Sequence, residues 1–104
     1  ESQILVASIG KDMVRERLAV CADLWSIGIK AETLYSDNPK PQKQLEHALQ
    51  SGIPLVIFIG ENEVNDGVVK VKSLNFKEEY VIKRSELKDK IGELILSNPA
   101  LIPQ

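Results

Sequence analysis

The stretch IPLVIFIGENEVNDGVVKVKS, residues 53–73, contains the most apolar run of the chain and a charged segment directly after it. Residues 54–59 are apolar throughout, which is typical of a central strand covered on both faces. The pair Asp66-Gly67 is a turn signal, and residues 68–73 alternate as a strand with one solvated face does. The stretch therefore predicts a buried strand, a polar turn and a second strand antiparallel to the first.

Upstream of this stretch, the pattern predicts a strand, a helix and another strand. Residues 3–8 form a short β-branched run that indicates a buried strand, and residues 30–35 indicate a second strand. From Lys11 onward the apolar residues follow helical spacing, and Gly28 stands where that helix is expected to end. The predicted buried stripe of this helix is Val14, Leu18, Cys21 and Trp25.

A second helix is predicted between residue 38 and the apolar strand. We expect it to begin with Asn38 as the N-cap and Pro39 at the first helical position. We expect it to end at residues 51–52, where a glycine follows a serine. Its predicted apolar stripe is Leu45, Ala48 and Leu49.

Downstream, residues 78–84 alternate like a further strand of an antiparallel meander. Ser85 is expected to cap a last helix that ends at Pro99. The apolar stripe of that helix is Leu87, Ile91, Leu94 and Ile95. The order β-α-β-α-β-β-β-α predicts a three-layer α/β domain, with a mixed five-stranded sheet and three helices. Its first three strands should be parallel.

Composition limits the classes of partner and the compartment. A chain of 104 residues suits one domain, and a first residue other than Met hints at a piece of a longer protein. With a net charge of −2, a polyanion would have to meet a local basic patch. The single cysteine favours a reducing compartment, and we expect a cytoplasmic protein. No apolar run approaches the roughly 20 residues that span a bilayer, so we expect no membrane partner.

The sequence offers no reacting constellation. One histidine, His47, and one cysteine, Cys21, cannot form a zinc ligand set. We expect a solvated His47 and a buried, inert Cys21 thiol. The Gly10-Lys11 pair could hold a phosphate at a helix start, but a plain strand-to-helix turn is the favoured interpretation. We therefore expect this chain to be non-catalytic, with no cofactor and no metal.

Three segments carry a resemblance to a known family. They are RLAVCADLWSIGIKAETLY (17–35), NPKPQKQLEHALQSGIPLVIFIGENEVNDGVVKVKS (38–73) and EEYVIKRSEL (78–87). Together they resemble the C-terminal anticodon-binding domain of class II aminoacyl-tRNA synthetases, and most of all that of histidyl enzymes of eukaryotic type. The resemblance runs over nearly the whole chain, and the fold of that family agrees with the fold predicted above.

The resemblance implies a function in tRNA recognition. The domain would grip the anticodon loop of a tRNA for histidine, while an upstream catalytic domain, absent here, ligates histidine with ATP and Mg²⁺. It also implies a parent that forms a homodimer through its catalytic domain, and we expect the isolated domain to be a monomer. Two alternatives remain open. One is a synthetase-like regulatory domain of a nutrient-sensing kinase or of an accessory subunit, and the other is a protein-interaction module without an RNA role.

The resemblance also implies which residues meet the anticodon. Asn38 would contact a base, Glu63 would be the acid of the turn, and Lys72 stands where related domains often have arginine. Lysine lacks the planar two-pronged donor of arginine, so Lys72 suits a phosphate. The predicted contacts are Tyr35 (for stacking), Asn38, Gln42, Lys43, Glu63, Lys70 and Lys72. Each also has an ordinary interpretation: a helix cap for Asn38, a polar turn for the acid, and solvated strand residues for the lysines.

Overall fold

Five strands and four helices make up the part of the chain that the computed structural model describes, which is residues 3–10, 13–34, 40–74 and 78–97. The strands are β1 (Ile4–Ile9), β2 (Ala31–Thr33), β3 (Leu55–Gly60), β4 (Val68–Ser73) and β5 (Glu78–Lys83). The helices are α1 (Val14–Ser26), α2 (Pro41–Ser51), α3 (Glu61–Asp66) and α4 (Leu87–Ser97). A 3₁₀ turn, Arg84–Glu86, leads from β5 into α4. In these described residues, no helix has the length and apolar character to cross a membrane.

The strands form one mixed sheet in the order β2-β1-β3-β4-β5. Strand β1 is parallel to both β2 and β3, while β4 is antiparallel to β3 and to β5. The most apolar run therefore occupies the middle strand of the sheet, with β1 on one side and β4 on the other. This arrangement confirms the predicted parallel half and the predicted antiparallel meander at one edge.

One side of the sheet, which we name the two-helix face, is covered by α1 and α4. Its buried cluster takes side chains from all five strands, because alternate residues of a strand point to the same side. The strand residues of this cluster are Ile4, Val6, Ala31, Leu55, Ile57, Ile59, Val69, Val71 and Ile82. The helices contribute Val20, Cys21, Leu24, Leu87, Ile91 and Ile95. The apolar stripe predicted for α4 is thereby confirmed, with Leu94 partly buried against the same cluster.

The other side, which we name the one-helix face, has α2 packed over β1 and β3. Its buried cluster is small, and consists of Leu5, Ala7, Ala48, Ile53 and Val56. Over β4 and β5, the side chains of this face are exposed or half-buried: Val68, Lys70, Lys72, Glu79, Val81 and Lys83. The sheet is therefore closed on one side and half open on the other.

The buried stripe of α1 differs from the predicted one. Leu18 and Trp25, expected in the core, are 38% and 52% exposed. The buried residues of the helix are Arg17, Val20, Cys21 and Leu24, of which only Cys21 was predicted. The prediction was wrong because it followed apolar residues alone, whereas the first buried position belongs to a charged residue. Arg17 is fully buried and donates a hydrogen bond to the Ser8 hydroxyl at the end of β1.

The start of α2 also differs. The helix begins at Pro41, and its N-cap is Lys40, whose backbone is extended at φ −71° and ψ 138°. A residue before proline is pushed out of the helical region, so Pro41 prevents Lys40 from joining a helix begun at Pro39. The predicted Asn38 cap is therefore wrong, and Asn38 itself lies outside the described residues.

The stripe of α2 was only partly predicted, although its end at residues 51–52 is confirmed. Ala48 is buried and Leu45 partly so, but Leu49 is 65% exposed. The remaining buried position is taken by Gln44, which lies one helical turn before Ala48. As in α1, a polar residue holds a place where the prediction looked for an apolar one.

The segment predicted as a polar turn after β3 is the short helix α3. Glu61 and Glu63 lie in its first turn, where negative charge stabilises the positive end of a helix. Gly67 ends it in the left-handed region at φ 69°, a conformation that favours glycine. The Asp66-Gly67 signal was therefore correct about a chain reversal and wrong about its form. Ser85 was also expected at the cap of α4, and it lies instead inside the 3₁₀ turn.

Candidate nucleic-acid interface

The open half of the one-helix face is a basic surface. Antiparallel pairing places Lys70 directly between Phe58 on β3 and Val81 on β5. Lys72 lies between Val56 and Glu79 in the same way, and Lys83 is opposite Val68. Three lysines and one acid of these two strands thus share one side of the sheet. A local basic patch is therefore present although the whole chain carries a net charge of −2.

We name this surface the lysine face, and define it by Phe58, Lys70, Lys72, Val81 and Lys83. Lys70, Val81 and Lys83 are exposed, and Phe58 and Lys72 are half-buried. The prediction that Lys70 and Lys72 share one side, because they are two residues apart on a strand, is confirmed by the register. Sequence reasoning missed the contribution of β5, since it did not align Val81 and Lys83 with the lysines of β4.

The acid predicted in the turn lies next to this surface. Glu63 Oε2 is 3.9 Å from Lys70 Nζ, and the Glu63 side chain is only 14% exposed. The structure therefore brings Glu63 and Lys70 together, which are two of the predicted contact residues. A carboxylate beside an ammonium group offers a hydrogen-bond acceptor and a donor at one place.

Phe58 provides an aromatic ring on the lysine face. It is half-buried, and it packs against the small cluster of the one-helix face beside α2. The other aromatic side chains of the described residues are Trp25, on α1, and Tyr80, which packs against the two-helix cluster. Sequence reasoning proposed Tyr35 for stacking, and Tyr35 lies outside the described residues. The period of β3 could have indicated Phe58, because it falls in phase with Val56 rather than with Ile57.

A buried polar network fixes the start of α2 at the same end of the sheet. Gln44 accepts a hydrogen bond from the Ser8 backbone N–H at 2.9 Å, and its amide donates to the Ser8 carbonyl at 2.8 Å. Arg17 donates to the Ser8 hydroxyl from the other face of the sheet. Ser8 follows Ala7, which is paired with Phe58. The first turn of α2 is therefore held at the end of the sheet where Phe58 and Lys70 lie.

Two further predicted residues lie in that first turn. Gln42 and Lys43 are exposed on α2, beside the buried Gln44, so they are accessible to a ligand on this end of the sheet. Lys40, at the N-cap, is exposed as well and adds a third polar group to the turn. The structure places Gln42 and Lys43 on a different element from Glu63, Lys70 and Lys72, and Asn38 lies outside the described residues.

The cysteine and the histidine of the chain lie in different surroundings. Cys21 is fully buried in the two-helix cluster, and burial raises the pKa of its thiol to about 11, as expected of an inert cysteine. His47 Nε2 lies 3.5 Å from Glu32 Oε2, and both side chains are half-exposed. Within the described ranges no group of three or more potential metal ligands is present.

The family of the chain follows from a comparison that covers nearly all of it. The family model described as the anticodon binding domain matches residues 3–94, a range that contains all five strands. The chain therefore belongs to the anticodon binding domain family, as its resemblance implied. Relatives that are 40–50% identical to the chain are named histidine–tRNA ligases.

Two relatives define this similarity. A histidine–tRNA ligase of Danio rerio is 50% identical over 91 residues, which are 88% of this chain and 18% of the relative. The mitochondrial histidine–tRNA ligase of Pongo abelii is 48% identical over 87 residues, which are 84% of this chain and 17% of the relative. The chain thus spans less than a fifth of the length of these relatives. Cytoplasmic enzymes match as well, so the expected cytoplasmic location stays a prediction.

A solved structure confirms the fold. The histidyl-tRNA synthetase from Nostoc sp. PCC 7120 superposes with a TM-score of 0.83 at 21% sequence identity. The match covers 90% of this chain and 22% of that chain. The predicted α/β architecture with a mixed five-stranded sheet is therefore shared with part of that solved structure.

Proposed function

We propose that this chain binds the anticodon loop of a tRNA for histidine through the lysine face and the adjoining Glu63. The observation that carries the proposal is that four kinds of group lie on or beside the one-helix face of the sheet. They are the ammonium groups of β4 and β5, the Glu63 carboxylate, the Phe58 ring and the polar first turn of α2. The identity of the relatives supports histidine as the amino acid of the parent enzyme.

The chemistry of the surface suits an unpaired loop. Single-stranded RNA exposes base edges, which are read by mixed donors and acceptors and by stacking. Glu63 can accept from a base, Phe58 can support a stacked base, and the lysines can meet phosphates. Gln42 and Lys43 extend the same surface onto α2. A loop crossing from α2 to β5 would therefore meet every group in turn.

The ligation itself belongs to the rest of the parent. Because the relatives are named histidine–tRNA ligases and this chain spans less than a fifth of their length, we assign histidine activation with ATP and Mg²⁺ to the parent's catalytic part, which also carries the expected dimer contact. The role of this chain is to hold the anticodon, and we expect the isolated chain to be a monomer. The relatives support this ligase role over that of a regulatory kinase domain.

Salt-dependent binding tests the proposal. The 104-residue chain is titrated with an RNA hairpin that carries the anticodon loop of a histidine tRNA, at several salt concentrations. If Lys72 and Lys83 meet phosphates, each change to Ala weakens binding to any loop sequence alike. Each change also lowers the slope of log affinity against log salt by about 0.7, the value for one phosphate contact in single strands.

Lys88→Ala is the matched control. Lys88 is an exposed lysine on α4, the helix of the two-helix face, so its loss removes the same charge from the opposite side of the sheet. We expect this variant to keep the wild-type slope. Equal slopes for Lys72→Ala, Lys83→Ala and Lys88→Ala would exclude the lysine face as the RNA site. An absence of RNA binding by the wild type even at low salt would favour the protein-interaction alternative.

A further inference from the structure

The glycine between β3 and α3 is not required by its own backbone. Gly60 is the N-cap of α3 and has φ −132° and ψ 178°, an extended conformation that any residue adopts. A glycine at such a position loses more conformational freedom on folding than other residues do. The reason for its presence must therefore lie in its surroundings rather than in its dihedral angles.

The surroundings of Gly60 are occupied by the Glu63 carboxylate. A β-carbon on Gly60 would lie 2.6 Å from Glu63 Oε1, which is too close for a real contact. The next nearest atoms would be at 3.7 Å, so the carboxylate oxygen is the only tight neighbour that such a β-carbon meets. The missing side chain of Gly60 thus provides the space in which the carboxylate lies.

The other oxygen of the same carboxylate points toward Lys70 of the lysine face. Glu63 Oε2 is 3.9 Å from Lys70 Nζ, and the side chain of Lys70 is 46% exposed while that of Glu63 is 14% exposed. A carboxylate with so little exposure is held by its neighbours, because a charge leaves water only where partners compensate for it. Gly60 on one side and Lys70 on the other therefore define the position of this acid.

We propose that Gly60 is a positioning residue for base recognition, which seats the Glu63 carboxylate beside Lys70. The pair then presents an acceptor next to a donor to one unpaired base of the RNA loop. The order of donors and acceptors along the base edge differs between bases, so a fixed pair matches some bases and opposes others. This inference rests on the proposed function, and adds to it the residue that makes the acid selective.

A purely structural role of Glu63 predicts something different. Glu63 is the third residue of α3, and a carboxylate at that position can stabilise the first turn of a helix. In that case a change at Gly60 would alter the stability of the short helix and leave the ranking of bases unchanged. The ranking of bases is therefore the measurement that separates the two roles.

The test is Gly60→Ala in the 104-residue chain, titrated with RNA hairpins that carry each base at each anticodon position. The extended backbone accepts alanine, and the clash is relieved by movement of a flexible side chain, so we expect the fold to persist. We expect the base preference at one anticodon position to fall by roughly tenfold, the scale of one lost base contact. The preferences at the other positions should stay as in the wild type.

Gly92→Ala is the matched control, because a β-carbon on Gly92 in α4 meets nothing within 4 Å. It should leave all base preferences unchanged. A double-mutant cycle gives a second control: in a Glu63→Ala background, Gly60→Ala should change base preference no further, since the group it displaces is gone. Additive effects of the two changes would overturn the proposal.

Lys70→Met provides a test that does not depend on Gly60→Ala folding, since Lys70 is an exposed strand residue. It should reduce the preference at the same anticodon position as Gly60→Ala and Glu63→Ala. An unchanged base ranking in Lys70→Met or in a folded Gly60→Ala would refute the inference. If the wild type binds RNA through Lys72 and Lys83 but ranks all bases equally, this inference fails while the proposed function stands. If no RNA binds, both fail.

Discussion

The two faces of the sheet differ in how many strands contribute side chains to the buried cluster on each face. On the two-helix face, α1 and α4 bury side chains from all five strands in one cluster. On the one-helix face, the buried cluster includes residues of β1 and β3 but none of β4 or β5. The comparison shows how a small domain separates two tasks: one face supplies the core, and the other can leave charged groups in water for a ligand.

The largest expected effects compare one leucine from each face. Leu24 in the two-helix cluster and Leu5 in the one-helix cluster are both fully buried. Each change to Ala should cost about 2–5 kcal/mol in the free energy of unfolding, because it removes apolar contacts and leaves a cavity. Leu24→Ala should lie at the upper end, since two helices and five strands cannot all close around the cavity, whereas α2 can settle onto β1.

Urea denaturation of the two variants measures this difference. The comparison is valid if the free energy of unfolding falls with urea concentration at a similar slope in both. A larger loss for Leu5→Ala than for Leu24→Ala would contradict the view that the two-helix face supplies most of the stability.

The next effect uses pH to probe the two-helix face. Burial raises the pKa of the Cys21 thiol from its ordinary value of 9.0 to about 11. Because the unfolded thiol ionises first, its stabilising contribution is complete below pH 9 and is lost as the pH rises toward 11. The loss should be of order 2 kcal/mol, since each unit of pKa difference corresponds to about 1.4 kcal/mol.

Denaturation of the wild type and of Cys21→Ala on both sides of this pH window isolates the effect of the thiol. The two proteins share every other side chain, so only the difference between the two curves counts. Parallel curves would mean that the thiol is not desolvated in the folded chain.

A smaller effect concerns the hydrogen bonds between Gln44 of α2 and Ser8 of β1. Gln44→Leu leaves the Ser8 N–H and C=O without their side-chain partner, and a buried polar group left unpaired costs about 1–3 kcal/mol. Gln50→Leu is the matched control, because Gln50 is exposed on the same helix. We expect a lower melting temperature for the first variant and a nearly unchanged one for the second. Equal melting temperatures would show that the Gln44 network contributes no stability.

The smallest expected effects are at two leucines that were predicted to be buried but are exposed in the structure. Leu18→Gln and Leu49→Gln should each change the free energy of unfolding by about 0.5 kcal/mol or less, because both side chains are exposed. Chemical denaturation of the two variants checks this. A loss above about 1 kcal/mol in either would restore the predicted stripes and contradict the structure.

The strands and the apolar stripe of α4 were predictable, whereas the stripes of α1 and α2 were predicted only in part. The parallel and antiparallel halves of the sheet follow from the helical and the short connections, and the phase of the strands follows from alternation, as in residues 68–73. The stripes of α1 and α2 were partly misplaced because Arg17 and Gln44 occupy buried positions, both bonded to Ser8 of β1. A pattern of apolar residues cannot reveal a buried polar side chain whose partner lies on another element.

The candidate site was also predictable only in part. The period of a strand places Lys70 and Lys72 on one side, and the register confirms it. The approach of Glu63 to Lys70 depends on the helix α3, which sequence reasoning took for a turn. The period of β3 indicates on which side of the sheet Phe58 lies, but its pairing with Lys70 depends on the length of the connection through α3.

The indole of Trp25, the only tryptophan of the chain, donates a hydrogen bond to the Ala31 carbonyl at 2.9 Å. This contact gives the domain an intrinsic optical probe at its β2 edge, three strands away from β4 and its lysines. Unfolding breaks the contact and should shift the emission maximum toward that of a fully hydrated indole. A ligand on the lysine face should leave this fluorescence almost unchanged. The emission of Trp25 can therefore report folding independently of binding.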